Sequence, residues 1–587
     1  MEGYYRRMEH LHITVISGGS GDNSLIKGLK SLYPHSNVKC VINAYDSGKS
    51  TGICRKVTNT LGVSDIRKNH IRMYKAVHKN NINPHLLSFY EDRYDFTKGH
   101  ELEEVEQKLD DWGLGFFKVY AKKFFLNPLA KKEEYLDFSV ANIIYAAMYK
   151  EMGYEQTNKY FCDLLDIDDF VILNSFDNVY IHAHLKDGRE VEDEGEIVVL
   201  DDPNNKIVKL SYHTNDDYGI NPRAIEALNE ADLIIISTGT FWSSIYPTLE
   251  YLDFYKYINE AKCKKIWVIN SKEDHDAFGV SSNDFIDIVT KLGLRLDDFI
   301  ILENLDASDI LKLPNDKYRI IYKHLGNVDG KNDKLPLARA IFSIFYGLDF
   351  IDHLDKLIFD FDGTIWSRDY KVNTFDYLKS LDNIHLLNDH LSDMSIIFSG
   401  GNYSDIRKKL DIAFPHASDF KVDVWADATA KLYKEDKLCQ TMQELCISPA
   451  DYHYIDTYLR EKYHLLALPN DKDERSITVL KIKPLRHDER ISLVKDINNV
   501  ARVKNLNIKA HITGRTTVDI LHSSNNKTFV YNHLKLDGLK TLYIGDEIDD
   551  GNDKEVAKRC TYHFLARDVE EANIILKILI EKFEGNI

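Results

Sequence analysis

Two aspartates, Asp360 and Asp362, stand at the end of an apolar run, Leu357, Ile358 and Phe359. Such a run reads as a short buried strand. Side chains alternate along a strand, so both carboxylates can point the same way at its C-terminal end. That is the edge of an open α/β sheet where ligands bind. Paired carboxylates there suit phosphoryl chemistry. One can attack phosphorus as a nucleophile, and the other can protonate the leaving oxygen. A divalent cation would hold the attacking and attacked groups together despite their like charges. Gly363 and Thr364 complete the stretch. The plain alternative is a strand running into an acidic Asp-Gly turn.

Other strand ends carry matching chemistry. Met394–Phe398 reads as a strand ending in Ser399, with Gly400, Gly401 and Asn402 opening a helix. A hydroxyl and free N–H groups there would bind a phosphoryl group. Thr541–Ile544 reads as a further strand, followed by Gly545, Asp546, Glu547, Ile548, Asp549, Asp550, Gly551, Asn552 and Asp553. So many carboxylates at one strand end are costly without a cation.

This order of motifs resembles the haloacid dehalogenase-like (HAD) phosphohydrolases. The resemblance implies that Asp360 is the nucleophile, Asp362 the general acid and base, and Thr364 the third motif position. It implies Ser399 as a phosphoryl-binding hydroxyl and Lys527 as the cation that offsets charge on the phosphoaspartate. It implies a Mg2+ ion on Asp360, the Asp362 backbone, Asp546 and one further acid. Asp550 and Asp553 are both candidates for that acid. The long interval between Ser399 and Lys527 implies a large cap, placed at about 414–514, with strands at Ile477–Ile482 and Ile508–Thr513 and helices at Tyr452–Tyr463 and Ile491–Lys504. Arg515 or His511 could reach substrate from it.

The N-terminal half carries glycine-rich loops instead. Ile13–Ile16 reads as a strand, followed by Ser17, Gly18, Gly19, Ser20 and Gly21 and then a helical pattern. Strand, glycine-rich turn and helix form a phosphate cradle, because glycines let the backbone approach and the helix start offers N–H groups. Val38–Ile42 reads as a second strand, ending in a loop with Asp46, Ser47, Gly48, Lys49, Ser50 and Thr51. Asp46 could hold a metal or a ribose, and Lys49 and the hydroxyls could meet phosphates. Asp65 is placed to cap a helix carrying Arg67. Leu233–Ile236 reads as a buried strand ending in Ser237, Thr238, Gly239, Thr240, Phe241, Trp242 and Ser243, a loop able to hold a diphosphate through N–H and O–H donors.

The order ITVISGGSG, NAYDSGKSTG, GVSDIRKN is similar to the CofD/YvcK-like family, which includes phospholactyl transferases of deazaflavin-coenzyme synthesis and bacterial proteins that bind nucleotide sugars. DFSVANI, with Asn142 opening a helix, and the strand ending at Asn270 continue the likeness. Gly is usual in the family where Ala141 stands, and Ser271 to Asp274 replace its usual Met-Thr-like stretch. The resemblance implies nucleotide and substrate contacts at Gly18, Gly19, Ser20, Gly21, Asp46, Ser47, Gly48, Ser50, Thr51, Asp65, Arg67, Asn142, Gly239, Thr240, Ser243 and Asn270.

A chain of 587 residues is too long for one core. The expected fold class is α/β, with two Rossmann-like doubly wound domains, 1–345 and 351–587, the second a HAD core with an inserted α+β cap. An apolar content of 44% supports packed domains and excludes general disorder. The formal net charge of −18 argues against nucleic acid as a partner. It does not argue against phosphorylated small molecules, since local pockets and metal ions override net charge. The seven cysteines form no C-x-x-C pair, so no zinc site or redox motif is expected. Scattered cysteines fit a reducing cytoplasm. No window approaches the length of a membrane span, and homo-oligomerisation is left open.

The expected activity is a two-step one. The first domain would transfer a phosphoryl-linked group from a nucleotide-diphosphate donor, and the second would remove phosphate from a phosphorylated small molecule. The alternative is a nucleotide-sugar-binding regulatory domain beside a phosphatase or phosphomutase.

Overall fold

The structure is a computed structural model. It describes residues 10–18, 23–79, 81–192, 194–197, 200, 206–270, 275–277, 280–306, 318–326, 333–367, 374–411, 422–482, 486–513, 517–546 and 553–585. The chain forms two compact units, His10–Phe345 and a second from Tyr346 onward.

The first unit is built on a seven-stranded parallel sheet. Its strands are β1 (His12–Ile16), β2 (Asn37–Ile42), β3 (Val171–Leu173), β7 (Leu233–Ile236), β8 (Lys264–Val268), β9 (Phe299–Asn304) and β10 (Arg319–Lys323). Strands such as Leu-Ile-Ile-Ile at 233–236, buried at every residue, are what a sheet covered on both faces requires. The order is β10-β9-β8-β7-β1-β2-β3. The chain therefore starts in the middle, runs outward to β3, and returns beside β1 as β7. The crevice at that reversal is where such sheets bind ligands. The loops after β1 and β7 meet there, tied by the Ser237 N–H bond to the Ile16 carbonyl at 3.0 Å.

Helices α1 (Asn23–Leu32), α2 (Lys49–Thr58), α3 (Ser64–His78) and α4 (Val140–Leu165) follow the first two strands. The aromatic stretch between α3 and α4 packs on itself, with Phe89 and Phe117 buried and stacked at 5.5 Å. A separate antiparallel sheet contains β4 (Tyr180–Leu185), β5 (Glu190–Val191) and β6 (Ile207–His213), in the order β5-β4-β6.

The second unit has its own seven-stranded sheet: β11 (Lys356–Asp360), β12 (Ile396–Phe398), β13 (Asp423–Ala426), β14 (Lys431–Lys434), β15 (Lys437–Thr441), β20 (Thr541–Gly545) and β21 (Tyr562–Leu565). The order is β15-β14-β13-β12-β11-β20-β21, parallel except for the hairpins β13-β14-β15. A smaller antiparallel sheet lies between β15 and β20 in sequence. It contains β16 (Leu468–Pro469), β17 (Val479–Ile482), β18 (Ile508–Thr513) and β19 (Thr517–His522). Ile455, Leu459, Ile497 and Ala501, from helices Pro449–Tyr463 and His487–Lys504, share a core with its Leu480, Val518 and Ile520.

The sequence reading starts this cap too early, at about 414. Residues 423–441 instead extend the central sheet, with Trp425 and Leu432 packed on Ile358 and Phe398. The hairpin between β13 and β14 turns on Asp427, Ala428 and Thr429, all at positive φ. Without glycine, that turn carries no ordinary signal. No helix among the described residues is long and apolar enough to cross a membrane.

Candidate functional site

The second unit gathers its acids around one lysine. Asp360 closes β11, a strand buried at all five positions. Its neighbour β20 delivers Asp546 just beyond its end, and Asp553 follows, fully buried. One carboxylate oxygen from each of Asp360, Asp546 and Asp553 lies within 4.8 Å of the others. Lys527 is the first residue of helix Lys527–His533, whose Asn526 cap accepts the Phe529 N–H. A cation at a helix start opposes the helix dipole and needs local anions to hold it. Lys527 Nζ donates to Asp360 Oδ1 at 2.8 Å, to the Tyr543 hydroxyl at 3.2 Å and to Asp553. Tyr543 in turn donates to Asp553 Oδ1 at 2.7 Å.

The electrostatics follow from this geometry. Burial pushes the Asp360 carboxyl well above its ordinary range, against the pull of Lys527 and with the help of the other two acids. Burial alone would lower the Lys527 ammonium, but the charges of Asp360 and Asp553 outweigh it and hold it above its usual range. Three carboxylates against one ammonium leave the cluster short of positive charge. An all-oxygen donor set with that deficit fits a hard divalent cation such as Mg2+.

Ser399 lies at the end of β12, with its Oγ accepting the Gly401 N–H at 3.0 Å. A side chain at Gly401 would come within 3.3 Å of Ser399 Oγ and 3.6 Å of Asp362 Oδ2. Glycine therefore keeps open the gap those two groups share. Asp362 sits in a turn closed by Gly363 N–H to the Trp366 carbonyl at 2.7 Å, and it pairs with Lys409. Thr364 is fully buried in that turn, its hydroxyl without a hydrogen-bond partner among the described residues. Asp550 and Arg515 lie outside the described residues. A cavity of about 780 Å³, where the Ser399 loop and the small sheet face each other, is lined by Gly400 and Asn402 and by bases and acids together, among them Lys431 paired with Asp471.

In the first unit, Gly18 follows β1 and is buried against the loop after β7. A Cβ there would stand 2.5 Å from both Cβ and Oγ of Ser244. Gly239 and Asn270 exchange two hydrogen bonds, at 3.1 and 2.8 Å. The loop after β7 differs from expectation in its donors. The N–H groups of Trp242 and Ser243 are taken by Asp276 Oδ2, at 2.9 and 3.0 Å. Buried N–H groups must be paired, and here the chain supplies its own carboxylate. Ser243 Oγ also donates to Thr240 Oγ1, at 2.7 Å.

The loop after β2 is organised by acids. Asp46 accepts the Gly48 N–H at 3.0 Å and the Thr51 hydroxyl at 3.1 Å. Ser47 N–H donates to Glu194 Oε2 at 3.3 Å. Burial, reinforced by Asp46 and Asp65, pushes the Glu194 carboxyl well above its ordinary range. Ser50 Oγ accepts from Arg93 at 3.0 Å and from Asn142 at 2.9 Å. Asp65 stands inside the first turn of α3 and pairs with Lys68 at 3.1 Å, so it does not form the cap. Arg67 is fully buried and donates to the Tyr90 carbonyl. Gly19, Ser20 and Gly21 lie outside the described residues.

A model of the family described as 2-phospho-L-lactate transferase CofD matches residues 13–333. The chain belongs to the CofD family. Curated relatives of this CofD chain include a putative gluconeogenesis factor of Aquifex aeolicus, 26% identical over 45% of this chain and 68% of that protein. Another is the gluconeogenesis factor of Bacillus subtilis, 22% identical over 51% of this chain and 81% of its own length. Among solved structures, a Bacillus halodurans protein matches 57% of the chain and 100% of itself, at 17% identity and a TM-score of 0.44. A haloacid dehalogenase-like hydrolase from Bacteroides thetaiotaomicron matches 38% of the chain, in the C-terminal part, and 98% of itself, at 12% identity and a TM-score of 0.29.

Sequence reasoning missed Tyr543, Lys409, Arg93, Glu194 and Asp276. Tyr543 carries the one legible signal, a hydroxyl between Leu542 and Ile544 in a buried strand. The others come from helices and loops whose own spacing points nowhere.

Proposed function

We propose that the second unit is a magnesium-dependent phosphohydrolase for a phosphorylated small molecule. The observation that carries this reading is Asp360 at 2.8 Å from Lys527, within one cluster with Asp546 and Asp553. Asp360 attacks phosphorus and forms a phosphoaspartate while the P–O bond to the leaving group breaks. Asp362 passes its proton to the leaving oxygen, then takes one from the water that hydrolyses the phosphoaspartate. Lys527 offsets charge on Asp360 and the phosphoryl oxygens. The Ser399 hydroxyl and the Gly401 gap receive the phosphoryl group. Asp360, Asp546 and Asp553 would hold Mg2+, which when bound neutralises phosphoryl charge.

The first unit takes a nucleotide-diphosphate-linked molecule at the crevice between β1 and β7 and transfers a phosphoryl-linked group from it. Family membership and the paired glycine loops support this step. A second reading makes the first unit a nucleotide-sugar-binding regulator. The printed name of the curated relatives, gluconeogenesis factor, favours it, because that name denotes no transfer reaction.

The test is incubation of the full chain and Mg2+ with phosphorylated metabolites and nucleotide-diphosphate-linked donors, followed by mass spectrometry. An Asp360→Asn variant runs in parallel. Loss of phosphate release in the variant supports the phosphohydrolase, and unchanged release overturns it. Consumption of a donor, with a phosphorylated adduct building up in the variant, supports transfer. A donor that binds without being consumed, and only alters phosphate release, leaves the regulator.

A further inference from the structure

We propose that the outer face of the three-stranded sheet in the first unit is a binding site for a divalent transition-metal ion of the zinc class. His182, Glu190 and His213 would hold the ion, with His184 as a fourth donor.

Strand alternation and register build this face. Along β4, Ile181, Ala183 and Leu185 are buried, so Tyr180, His182 and His184 face the other way. On β6, His213 stands opposite Tyr180 and Ser211 opposite His182. On β5, Glu190 stands opposite His184. Three strands thus bring three imidazoles and one carboxylate to one face.

The distances suit a shared ion. His182 Nδ1 is 3.2 Å and His184 Nε2 3.8 Å from Glu190 Oε1. The His182 and His213 rings lie 4.0 Å apart between centroids. One donor atom each from His182, Glu190 and His213 falls within 4.8 Å of the others. Tetrahedral zinc, with bonds of about 2.0–2.1 Å, sets its donors roughly 3.3 Å apart. Closure shortens those separations by about 1.5 Å at most and turns the His182 and His213 rings, now inclined at 30°, until both lone pairs meet the ion. Ser211 Oγ lies 2.9 Å from His184 Nε2 and 3.3 Å from His213 Nε2, so it bridges the two rings and must release the His184 nitrogen when that nitrogen takes the ion.

Donor chemistry selects the ion. Imidazole nitrogens with one carboxylate favour Zn2+, Ni2+ or Cu2+ over Mg2+. The all-oxygen cluster at Asp360 has the opposite preference. The cysteine spacing speaks only to thiolate sites. Imidazoles on separate strands come together by register, which spacing along the chain does not reveal.

The ion would fasten a lightly held strand. β5 has two residues and pairs only through Ala183–Val191 and His184–Glu190. It leads directly to Glu194, which bonds the Ser47 main chain in the Asp46 loop. A metal on Glu190 would steady that contact.

The experiment titrates ZnCl2 into the full chain by calorimetry, in excess Mg2+ so that the Asp360 cluster is occupied. The expected result is one zinc per chain. Affinity should fall at least tenfold in His182→Ala and in His213→Ala. Co2+ added to the unmutated chain should give the visible bands of a tetrahedral nitrogen and oxygen site, a readout independent of whether the variants fold. No zinc binding in excess Mg2+, equal binding by a folded His182→Ala/His213→Ala double variant, or a purely octahedral cobalt spectrum would each overturn the proposal.

Discussion

Replacing Lys527 by methionine removes the one ammonium among three carboxylates while keeping nearly the same volume. At 2.8 Å, the separation of Nζ from Asp360 Oδ1, a charge pair at an effective dielectric of 20 is worth about 6 kcal/mol before desolvation is subtracted. Breaking such a buried pair costs roughly 3–5 kcal/mol net, because the surviving charge is left uncompensated. For a unit of this size that lowers its melting temperature by about 10 °C. With the lysine gone from Asp360 and from the phosphoryl group, turnover should fall about 10²–10³-fold. Mg2+ should restore much of the stability, because it supplies the missing positive charge, and little of the turnover. The assay is calorimetry of the full chain with and without Mg2+, beside phosphate release. A Lys527→Met chain that melts with its parent in the absence of Mg2+, or that turns over at the parent's rate, would refute the reasoning.

Two further outcomes are expected. Burial pushes Asp276 up to about 6, well above an unfolded carboxyl, so the native state holds its proton longer and stability is lost as pH rises from about 4 to about 6. Asp276→Asn should flatten that slope, which is worth about 3 kcal/mol. Urea unfolding at pH 4.5 and 7.5 checks this, and an equal offset from the parent at both pH values would contradict it. Gly18→Ala should cost about 1–3 kcal/mol, because its Cβ meets Ser244 at 2.5 Å. Adding Ser244→Gly should recover most of that loss, and additive effects in the double-mutant cycle would remove the contact as the cause.

What could be read from the chain alone depended on whether the signal was local. Asp360 was legible because an apolar strand ran straight into it, and Gly18 because a strand, a glycine and a helix were contiguous. The α/β class followed from such runs. The β13-β14 hairpin was not legible, since Asp427, Ala428 and Thr429 take left-handed backbone that glycine usually marks. Asp276 and Glu194 were hidden for another reason. Each acts on a loop far away in sequence, Asp276 on the amides of 242 and 243 and Glu194 on that of Ser47. Neither stretch around them differs from any solvated acidic loop. That Asp553 sits on Lys527 is visible only in three dimensions, while Asp550 lies outside the described residues.

The position of β11 between β12 and β20 also bears on how the chain is made. Ile358 pairs with Ile396 on one side and with Tyr543 on the other. On a ribosome the first partner emerges soon after β11, and the second only after the whole small sheet. Until then β11 presents a bare apolar edge, the kind that joins other chains. The small sheet draws its core from residues 447–520 alone, so it can form while that edge waits. Closing the long loop is the slow step. It brings the acids beyond β20 to Asp360 after Lys527 has already left the tunnel, so during synthesis the carboxylates never crowd together without their cation. A nascent chain stalled between residues 522 and 541 would be the species that chaperones must shield.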